Sequence, residues 1–566
     1  MDADLSRYKP DFPTETWSQQ DRFFLEPFAP GLDGFVSTLT NLPSELVGAL
    51  CSRASRAKNS LLRILLDEYF YPIINGEDTK LASELKETVT FLRTHGFKHI
   101  VNNQRAQAFY AKWLSQYGDD SIAQMTGTHL VFWGISQVAM KIIEDRRIGL
   151  EPIEKSTRYV NFANKVGGRY LYYIPQPDLE RLGLLSEYRA TLDNLFDTYA
   201  SLLPKLMEWL RANFNEKESI LEKKAFDTLR GLLPMATLGQ VAFRGNAQAF
   251  EYLLNQTAKH PLGELRWLSQ TIKAQLDKEI PSLLLRINDE KSQQYQDYLA
   301  GRGQRVRSWL TSNLKKTIKE NWSIAGTKPE VRLVEATPDA EEVIVAGIIY
   351  PTLHISWEKA QLLAKGLSEA DRAALIAAYI GNRTARWQKV GRAFENAYLR
   401  YDITMNIGAY RDLHRHRMMT QERQLFSTHH GFDLPLEIQE SGLRAPFEAA
   451  LSKAKVLFEK IEAQDPDLAQ YVVPLAYRIR FYQWQNVRQL FWESELRTIS
   501  QGHPDYRFIE QEKYRLFKAR FPRLANHLLV DLNDYAIARR GTEELIAKKE
   551  KEIMDRLKQR QENGPA

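Results

Sequence analysis

The densest group of chemically useful side chains lies in the segment RDLHRHR, residues 411–417. Five of its seven residues are arginine or histidine, and only Asp412 is acidic. Exposed helices normally place acidic residues four positions from basic ones to form ion pairs, so this run is unusual for a solvated face. Guanidinium groups bind phosphates through two parallel hydrogen bonds. The segment therefore predicts an anion site that uses Arg415 and Arg417, with a solvated basic helix face as the alternative.

Neither the histidines nor the cysteine predicts a metal site. Residues two apart on a helix point about 200° away from each other, because each residue turns the helix by about 100°. His414 and His416 therefore cannot bind one ion together. Cys51 is the single cysteine, which excludes intramolecular disulfides and multi-thiolate zinc sites. We expect no bound metal, and we expect Cys51 to be a small buried core residue.

A weak internal repeat indicates the elements that position these residues. The segment LLPMATLGQVAFRGNAQAFEYLL is similar to VVPLAYRIRFYQWQNVRQLFWES, and Pro474 and Asn486 follow Pro234 and Asn246 by 240 positions. Upstream, THLVFWGISQ from Thr128 and AYLRYDITMN from Ala397 each predict a strand that leads into a helix. The chain is therefore predicted to contain two related halves.

The two halves are predicted to meet in a basic, glycine-containing stretch that begins GRGQR. The predicted division is an N-terminal domain at 1–300, a linker at 301–327, a C-terminal domain at 328–540 and a charged helical tail at 541–566. The apolar run VIVAGIIY at 343–350 predicts the first strand of the second domain. Apolar residues recur at helical spacing, with charged opposite faces, over 182–213, 222–254 and 436–462.

Composition excludes several classes of protein. With 43% hydrophobic and 26% charged residues, the 566-residue chain has the composition of a globular protein. The net charge of +6 is small and its basic residues are interspersed with acids, so no nucleic-acid polymer is expected as a partner. The start MDADLSRYKPDF lacks signal-peptide features and no apolar run reaches about 18 residues. We expect a cytoplasmic protein with no membrane partner.

The C-terminal half resembles the flavin-dependent thymidylate synthases, the ThyX family. RDLHRHR resembles the family's RHR motif, and GRAFEN resembles its Gly-x-x-x-Phe-Glu-His box with Glu395 retained. The sequence NVR, with Asn486 and Arg488, is similar to the family's Asn-Ala-Arg. Arg497 follows Asn486 by eleven positions, which is the spacing of the family's catalytic arginine.

The N-terminal half resembles the same family through different motifs. EKSTRY at 154–159 is similar to the family's Glu-x-Ser-x-Arg-Tyr, and Arg230 matches the arginine of its Arg-x-x-Leu-Pro box. This half has EDRRIG in place of RHR, with Gln248 and Thr257 in place of the Asn-Ala-Arg and catalytic arginines. The C-terminal half lacks the other set, because Arg423, Leu425 and Gln470 replace the Glu, the Ser and the Arg-x-x-Leu-Pro arginine.

The resemblance implies one complete site, because in the family each site is assembled from two subunits. It implies an α+β fold with two tandem ThyX-like domains, each a small sheet flanked by long helices, that form a pseudo-dimer within one chain. Two chains are expected to pair as a homodimer that mimics the family's tetramer. The implied reaction is reductive methylation of dUMP to dTMP with methylenetetrahydrofolate, NADPH and FAD.

The resemblance also implies residue roles. The implied catalytic residue is Arg497. The implied dUMP-binding residues are Arg415, Asp412, Glu154, Lys155, Ser156, Thr157, Arg158 and Arg230. The implied FAD-binding residues are Arg415, His416, Arg417, Asn486, Arg488, Glu395, Glu154 and Ser121.

Three alternatives stay open from the sequence. Asp412 stands where the family usually has a glutamine that contacts the nucleotide, and Trp492 stands where it has a polar flavin-binding residue, so a different pyrimidine nucleotide is one alternative. A non-catalytic protein that binds flavin or nucleotide is the second. The third is an RNA or DNA binder that uses RDLHRHR and the RGQRVR stretch near Arg305.

Overall fold

The computed structural model describes residues 4–12, 14–96, 104–112, 120–146, 148–321, 328–535, 537–538, 548–549 and 551–556. The chain folds into two compact units. The first unit comprises Met1–Asn215, Leu221–Ser323 and Pro435–Leu475. The second unit comprises Glu216–Ile220, Ile324–Leu434 and Ala476–Ala566.

Each unit contains one four-stranded antiparallel sheet. In the first unit the order is β1-β2-β4-β3, formed by Val36–Leu39, Gly127–Ser136, Leu150–Glu154 (β3) and Leu238–Asn246 (β4). In the second unit the order is β5-β6-β8-β7, formed by Glu330–Ala336, Tyr398–Asn406, Thr420–Arg423 (β7) and Arg478–Asn486 (β8). The shared order confirms the predicted pair of related α+β halves, which we call the N-terminal and C-terminal repeats.

Strands β3 and β7 pair with the same stretch of β4 and β8. Glu154 at the end of β3 pairs with Val241, and Arg423 at the end of β7 pairs with Phe481. Because Phe481 follows Val241 by the repeat offset of 240, Arg423 occupies the position of Glu154. The replacement of glutamate by arginine that the sequence indicates is therefore a replacement at one structural position.

Nineteen helices among the described residues are labelled here in chain order. They are α1 Gln19–Leu25, α2 Ser44–Ala54, α3 Thr79–Thr94, α4 Gln104–Tyr110, α5 Gln137–Glu144, α6 Gln176–Leu182, α7 Leu185–Asn213, α8 Glu218–Leu229, α9 Ala247–Thr257, α10 Gly263–Glu279, α11 Glu290–Asn321, α12 Ala340–Leu353, α13 Trp357–Gly366, α14 Glu369–Ile380, α15 Ile407–Leu413, α16 Leu436–Glu440, α17 Arg444–Glu462, α18 Val487–Arg497 and α19 Pro504–Arg520. Shorter α-helical and π segments cover Leu61–Ile64, Leu65–Phe70, Tyr71–Ile74, Pro466–Ala469 and Pro522–Ala525.

Two predictions of secondary structure are wrong. The run 343–350 lies within helix α12 and is not a strand. A continuous apolar run has no alternation, so it fits a buried helix as well as a buried strand. The predicted helical stretch 222–254 is interrupted by β4, which leads into helix α9.

The folded chain also divides differently from the predicted domains. Residues 301–321 of the predicted linker continue helix α11, and 322–327 lie outside the described residues. Residues 435–475, predicted for the C-terminal domain, belong to the first unit because helix α17 packs against helix α7. Residues 551–556 of the predicted tail are helical, and most of the rest of that tail lies outside the described residues.

Equivalent segments of the two repeats pair inside the first unit. Met235 N donates to Val473 O at 2.9 Å, and Leu475 N donates to Leu233 O at 2.9 Å. These two hydrogen bonds flank an antiparallel bridge between Pro234 and Pro474, the equivalent prolines of the repeat. The pairing is the kind expected between the two members of a pseudo-dimer, in which the same segment meets its own copy.

The N-terminal helices of the first unit pack on one face of its sheet. Their apolar core includes Leu50 and Cys51 of α2 and extends to Val131 and Ala242 on the central strands. Cys51 is buried, which confirms the prediction, and burial raises the pKa of its thiol to about 11. Across the described ranges of the chain, no helix combines the length and apolar character needed to cross a membrane.

Candidate active site

The RHR segment lies where helix α15 ends in the second unit. Strand β6 runs directly into this helix, and Asn406 caps its start by accepting a hydrogen bond from Ala409 N at 2.8 Å. The helix ends at Leu413, so Arg415 and Arg417 follow its carbonyl end, where cations are favoured by the helix dipole. Arg415 is exposed, with Nη1 lying 3.7 Å from Asp412 Oδ1. The strand and helix predicted before this motif are confirmed.

His416 and Arg497 form a hydrogen-bonded pair. Arg497 Nε donates to His416 Nε2 at 2.8 Å, and the side-chain amide of Gln489 lies 3.3 Å from His416 Nδ1. Because an arginine can only donate, His416 Nε2 is the acceptor and the ring is neutral. Burial, helped by the nearby charges of Arg497 and Lys513, lowers the pKa of His416 to about 3. The imidazole therefore fixes the direction of the guanidinium without adding charge.

Helix α18 and the residue that caps its start include three of the predicted flavin and catalytic residues. Asn486 caps its start by accepting from Gln489 N at 2.8 Å, and Arg497 is its last residue. Arg488 Nη1 donates to Glu395 Oε1 at 2.6 Å, and its Nε donates to Val390 O at 2.9 Å. Arg488 and Glu395 are each about one-third exposed, so this pair lies at the protein surface beside the helix start.

A fully buried polar network lies beneath the pair, and sequence reasoning missed it. Lys513 Nζ lies 2.7 Å from Glu493 Oε2, 3.0 Å from Glu510 Oε1 and 2.8 Å from Gln483 Oε1. Glu493 lies one helical turn before Arg497 on helix α18, a spacing at which the two side chains could form an ion pair. Instead Glu493 binds Lys513, and Arg497 is directed at His416. Glu510 and Lys513 stand three positions apart in the sequence, a spacing typical of a solvated ion pair, so no local signal marks their burial.

Two arginines of the first unit converge on one carboxylate. Arg158 approaches Asp227 Oδ2 with Nε at 2.9 Å and Nη2 at 2.7 Å, and Arg230 Nε lies 3.2 Å from Asp227 Oδ1. Ser156 Oγ accepts from Arg158 N at 3.3 Å. The side chains of Arg158, Arg230 and Asp227 are largely buried. The structure therefore brings together the predicted phosphate ligands of the N-terminal repeat, and Asp227 is a contributor that the sequence did not reveal.

The other residues of the EKSTR motif point in different directions. Glu154 is buried and accepts from Lys141 Nζ at 2.8 Å, while Glu144 accepts from the same amine at 2.6 Å. Lys155 Nζ donates to Lys58 O at 2.7 Å, and burial lowers its pKa to about 8. Thr157 is buried. Strand alternation explains why Glu154 and Lys155 lie on opposite sides of the chain.

The predicted residues are therefore divided between the two units. Glu154, Ser156, Arg158 and Arg230 belong to the first unit, and the RHR, Asn486 and Arg497 positions belong to the second. Ser121 is exposed in the short 3-10 helix Asp120–Gln124 of the first unit.

In the N-terminal repeat, the residues at the positions of His416 and Arg497 make other contacts. Arg146, which corresponds to His416, lies with its guanidinium 5.3 Å from the centre of the Tyr252 ring. Thr257, which corresponds to Arg497, is buried and donates from Oγ1 to Leu253 O at 2.9 Å. These contacts leave neither side chain in the arrangement of the His416–Arg497 pair.

The fold and the site define this protein as a tandem α+β repeat protein whose arginine clusters suit an anionic ligand. The family described as thymidylate synthase complementing protein matches residues 79–282 and 332–523, once in each repeat. The chain belongs to this family.

The relatives extend over most of the chain. A UPF0159 protein of Chlamydia pneumoniae is 34% identical over 508 residues, which is 88% of this chain and 91% of the relative. A UPF0159 protein of Thermoplasma acidophilum is 30% identical over 482 residues, covering 78% and 92%. The solved structure of a UMP/dUMP methylase PolB from Streptomyces cacaoi, bound with 5-Br dUMP, covers 36% of this chain and 95% of its own at 15% identity. The TM-score of this comparison is 0.28.

Proposed function

We propose that the protein is a FAD-dependent thymidylate synthase that converts dUMP to dTMP with methylenetetrahydrofolate and NADPH. The observation that carries the proposal is the way the site residues are divided between two repeats of one topology. The C-terminal repeat retains Arg497 hydrogen-bonded to His416, and the N-terminal repeat retains Arg158 and Arg230 on one carboxylate. Random decay into a non-enzyme would not preserve complementary sets.

Arg497 has the properties required to stabilise negative charge on a uracil ring. Its guanidinium is held by a neutral acceptor, His416, so its positive charge is not cancelled at that contact. A fixed cation in a site that excludes water stabilises developing negative charge at little reorganisation cost. We assign to Arg497 the binding of the pyrimidine and the stabilisation of its ionised form.

Arg158 and Arg230 are assigned to the dUMP phosphate. Two guanidinium groups held on the single carboxylate of Asp227 leave an excess of positive charge at one place, which suits a phosphate. Ser156 adds a hydroxyl close to Arg158. Lys155 and Thr157, which the resemblance places in the same subsite, are assigned through their backbone, since their side chains are directed into the protein.

The residues around the start of helix α18 suit the flavin's diphosphate. Arg488 is partly exposed beside the amide end of an eleven-residue helix, and both features favour a bound anion. Asn486, His416, Arg417 and Glu395 would complete the binding set, with Glu154 and Arg415 contributing as the resemblance implies. When bound and reduced, FAD supplies the electrons and carries the one-carbon group to the pyrimidine.

The same geometry supports a second candidate substrate. Asp412 lies beside Arg415, where the family usually has a glutamine, and a carboxylate and an amide present different hydrogen-bonding groups to a base. A methyltransferase that acts on another pyrimidine nucleotide is therefore the alternative function.

Product analysis by mass spectrometry tests the proposal and separates these alternatives. Purified protein is supplied with FAD, NADPH, methylenetetrahydrofolate and either dUMP, UMP or dCMP, and each component is omitted in turn. We expect dTMP from dUMP only in the complete mixture. Methylation of UMP or dCMP alone would favour the second candidate. Binding of FAD and dUMP with no methylated product would instead support a non-catalytic binding protein.

A further inference from the structure

The buried network beneath the His416–Arg497 pair is present in one repeat only. Its members are Gln483 and Gln485 on β8, Glu493 on α18, and Glu510 and Lys513 on α19, and all are at most 1% exposed. The equivalent positions of the N-terminal repeat hold Phe243, Gly245, Leu253, Ser269 and Ile272. These positions are equivalent because each pair of elements has the same length: β4 and β8, α9 and α18, and α10 and α19.

The N-terminal repeat shows that the fold does not need this network. Phe243, Leu253 and Ile272 fill the same places as ordinary core residues. A buried ion pair is on average no more stabilising than apolar residues of similar volume, because removing charges from water is costly. The C-terminal repeat therefore keeps a network that contributes no clear gain in stability, at the place where it also keeps Arg497 and His416.

The geometry links the network to the pair through one face of helix α18. Gln489, Glu493 and Arg497 are spaced four apart and lie on the same face. Gln489 and Arg497 contact the two ring nitrogens of His416, and Glu493 lies between them along the helix. Glu493 also accepts from Gln483 Nε2 at 3.0 Å, which ties this face of the helix to strand β8.

We infer that the network of Gln483, Gln485, Glu493, Glu510 and Lys513 positions Arg497 and His416 for the reaction. This inference rests on the proposed function. Glu493 lies between the two residues that contact His416, so it is the member through which the network would act on the pair. They are positioning residues, since they act through the His416–Arg497 pair.

The protonation of the network distinguishes its two carboxyl groups. Burial and the charge of Glu493 raise the pKa of Glu510 to about 7, whereas Lys513 lowers the pKa of Glu493 in spite of its burial. Ser494 Oγ donates to Glu510 Oε2 at 2.9 Å, and the Tyr401 ring lies 5.4 Å from Lys513 Nζ.

The decisive variant replaces the network with the apolar core of the other repeat. It combines Gln483→Phe, Gln485→Gly, Glu493→Leu, Glu510→Ser and Lys513→Ile. We expect the thermal midpoint to stay close to that of the parent and kcat for dTMP formation to fall at least tenfold. KM for dUMP should change by a smaller factor than kcat, since the phosphate ligands belong to the other repeat. A folded variant with parental kcat would overturn the inference.

Single conservative variants keep the test informative if the five-fold replacement does not fold. Glu510→Gln keeps the shape and the neutral charge of the protonated carboxyl group, so it should retain most of kcat. Glu493→Gln leaves Lys513 without its counter-ion, so it should lose kcat at least tenfold. Equal kcat in the two variants would contradict the assignment.

A spectroscopic measurement separates failure of this inference from failure of the proposed function. In protein labelled with ¹⁵N-histidine, the His416 signal, assigned with His416→Gln, should show a neutral ring protonated at Nδ1. The Glu493→Gln variant should lose this single-tautomer signature, whether or not the parent makes dTMP. An unchanged His416 signal in that variant would show that the network does not position the pair.

Discussion

At the scale of single residues, the two arginines on Asp227 give a direct prediction about the phosphate. Arg158→Ala or Arg230→Ala removes one charge-assisted hydrogen-bonding group from a largely buried cluster. We expect the Kd for dUMP to rise about 10-fold to 100-fold, in line with roughly 1.5–3 kcal/mol for such a bond. Isothermal titration calorimetry measures this.

Deoxyuridine provides the control for that prediction because it lacks the phosphate. Its affinity should be the same in the parent and in both variants. Arg169→Ala, which removes an exposed arginine paired with Asp11, should leave the dUMP affinity unchanged. If deoxyuridine binding weakens as much as dUMP binding, the two arginines do not bind the phosphate.

Cys51 gives a second prediction at the same scale. The thiol is buried in an apolar core and its pKa of about 11 keeps it protonated, so it is not a nucleophile. Cys51→Ala should therefore retain the parental kcat while lowering the free energy of unfolding by about 1 kcal/mol. Loss of turnover in a well-folded Cys51→Ala protein, measured by dTMP formation, would point to a thiolate mechanism instead.

At the scale of elements, the two repeats offer a matched pair of helix caps. Asn246 caps α9 and Asn486 caps α18 through the same side-chain oxygen, each accepting at 2.8 Å. Replacement of either by alanine should lower the free energy of unfolding by about 1 kcal/mol. Only Asn486→Ala should also weaken FAD binding, as followed by flavin fluorescence. Equal FAD affinities for the two variants would remove Asn486 from the flavin site.

The elements also show what the sequence could and could not predict. Strands β2 and β6 and the helices after them were predictable, because their patterns end at a capping residue. Helix α12 was not predictable, because an unbroken apolar run has neither helical nor strand periodicity. The clustering of Arg158 and Arg230 was foreseen only through the family resemblance. The Glu493–Lys513 contact joins two helices, so neither sequence segment alone could reveal it.

At the scale of the whole molecule, Glu264 joins the two repeats within the first unit. Its carboxylate accepts from Ser136 N at 2.9 Å, Ser136 Oγ at 2.6 Å and Tyr471 OH at 2.8 Å. Burial raises its pKa from 4.5 to about 7, although these hydrogen bonds oppose the shift. Between pH 4.5 and pH 7 the folded protein keeps Glu264 protonated, whereas the unfolded chain releases that proton. The stability that the neutral carboxyl group contributes is therefore complete below pH 4.5 and lost as the pH rises through 7.

Glu264→Gln tests this linkage because the amide cannot ionise. The free energy of unfolding of the parent should fall more steeply between pH 5 and pH 8 than that of the variant. The difference should reach about 3 kcal/mol, the value of a shift of this size. Urea unfolding at a series of pH values measures it. Parallel pH profiles for the two proteins would show that Glu264 does not carry the linkage.

We propose that the retained residues of both repeats are needed together for methylation of dUMP. Tritium release from C5 of labelled dUMP measures this most directly, with FAD, NADPH and methylenetetrahydrofolate present. Arg230→Ala and Arg497→Ala are compared with Gln470→Ala and Thr257→Ala, which alter the equivalent positions of the opposite repeat. We expect release by the parent, its loss in both arginine variants and its retention in both controls. Release that survives in the arginine variants, or a parent that binds FAD and dUMP without any release, would contradict it.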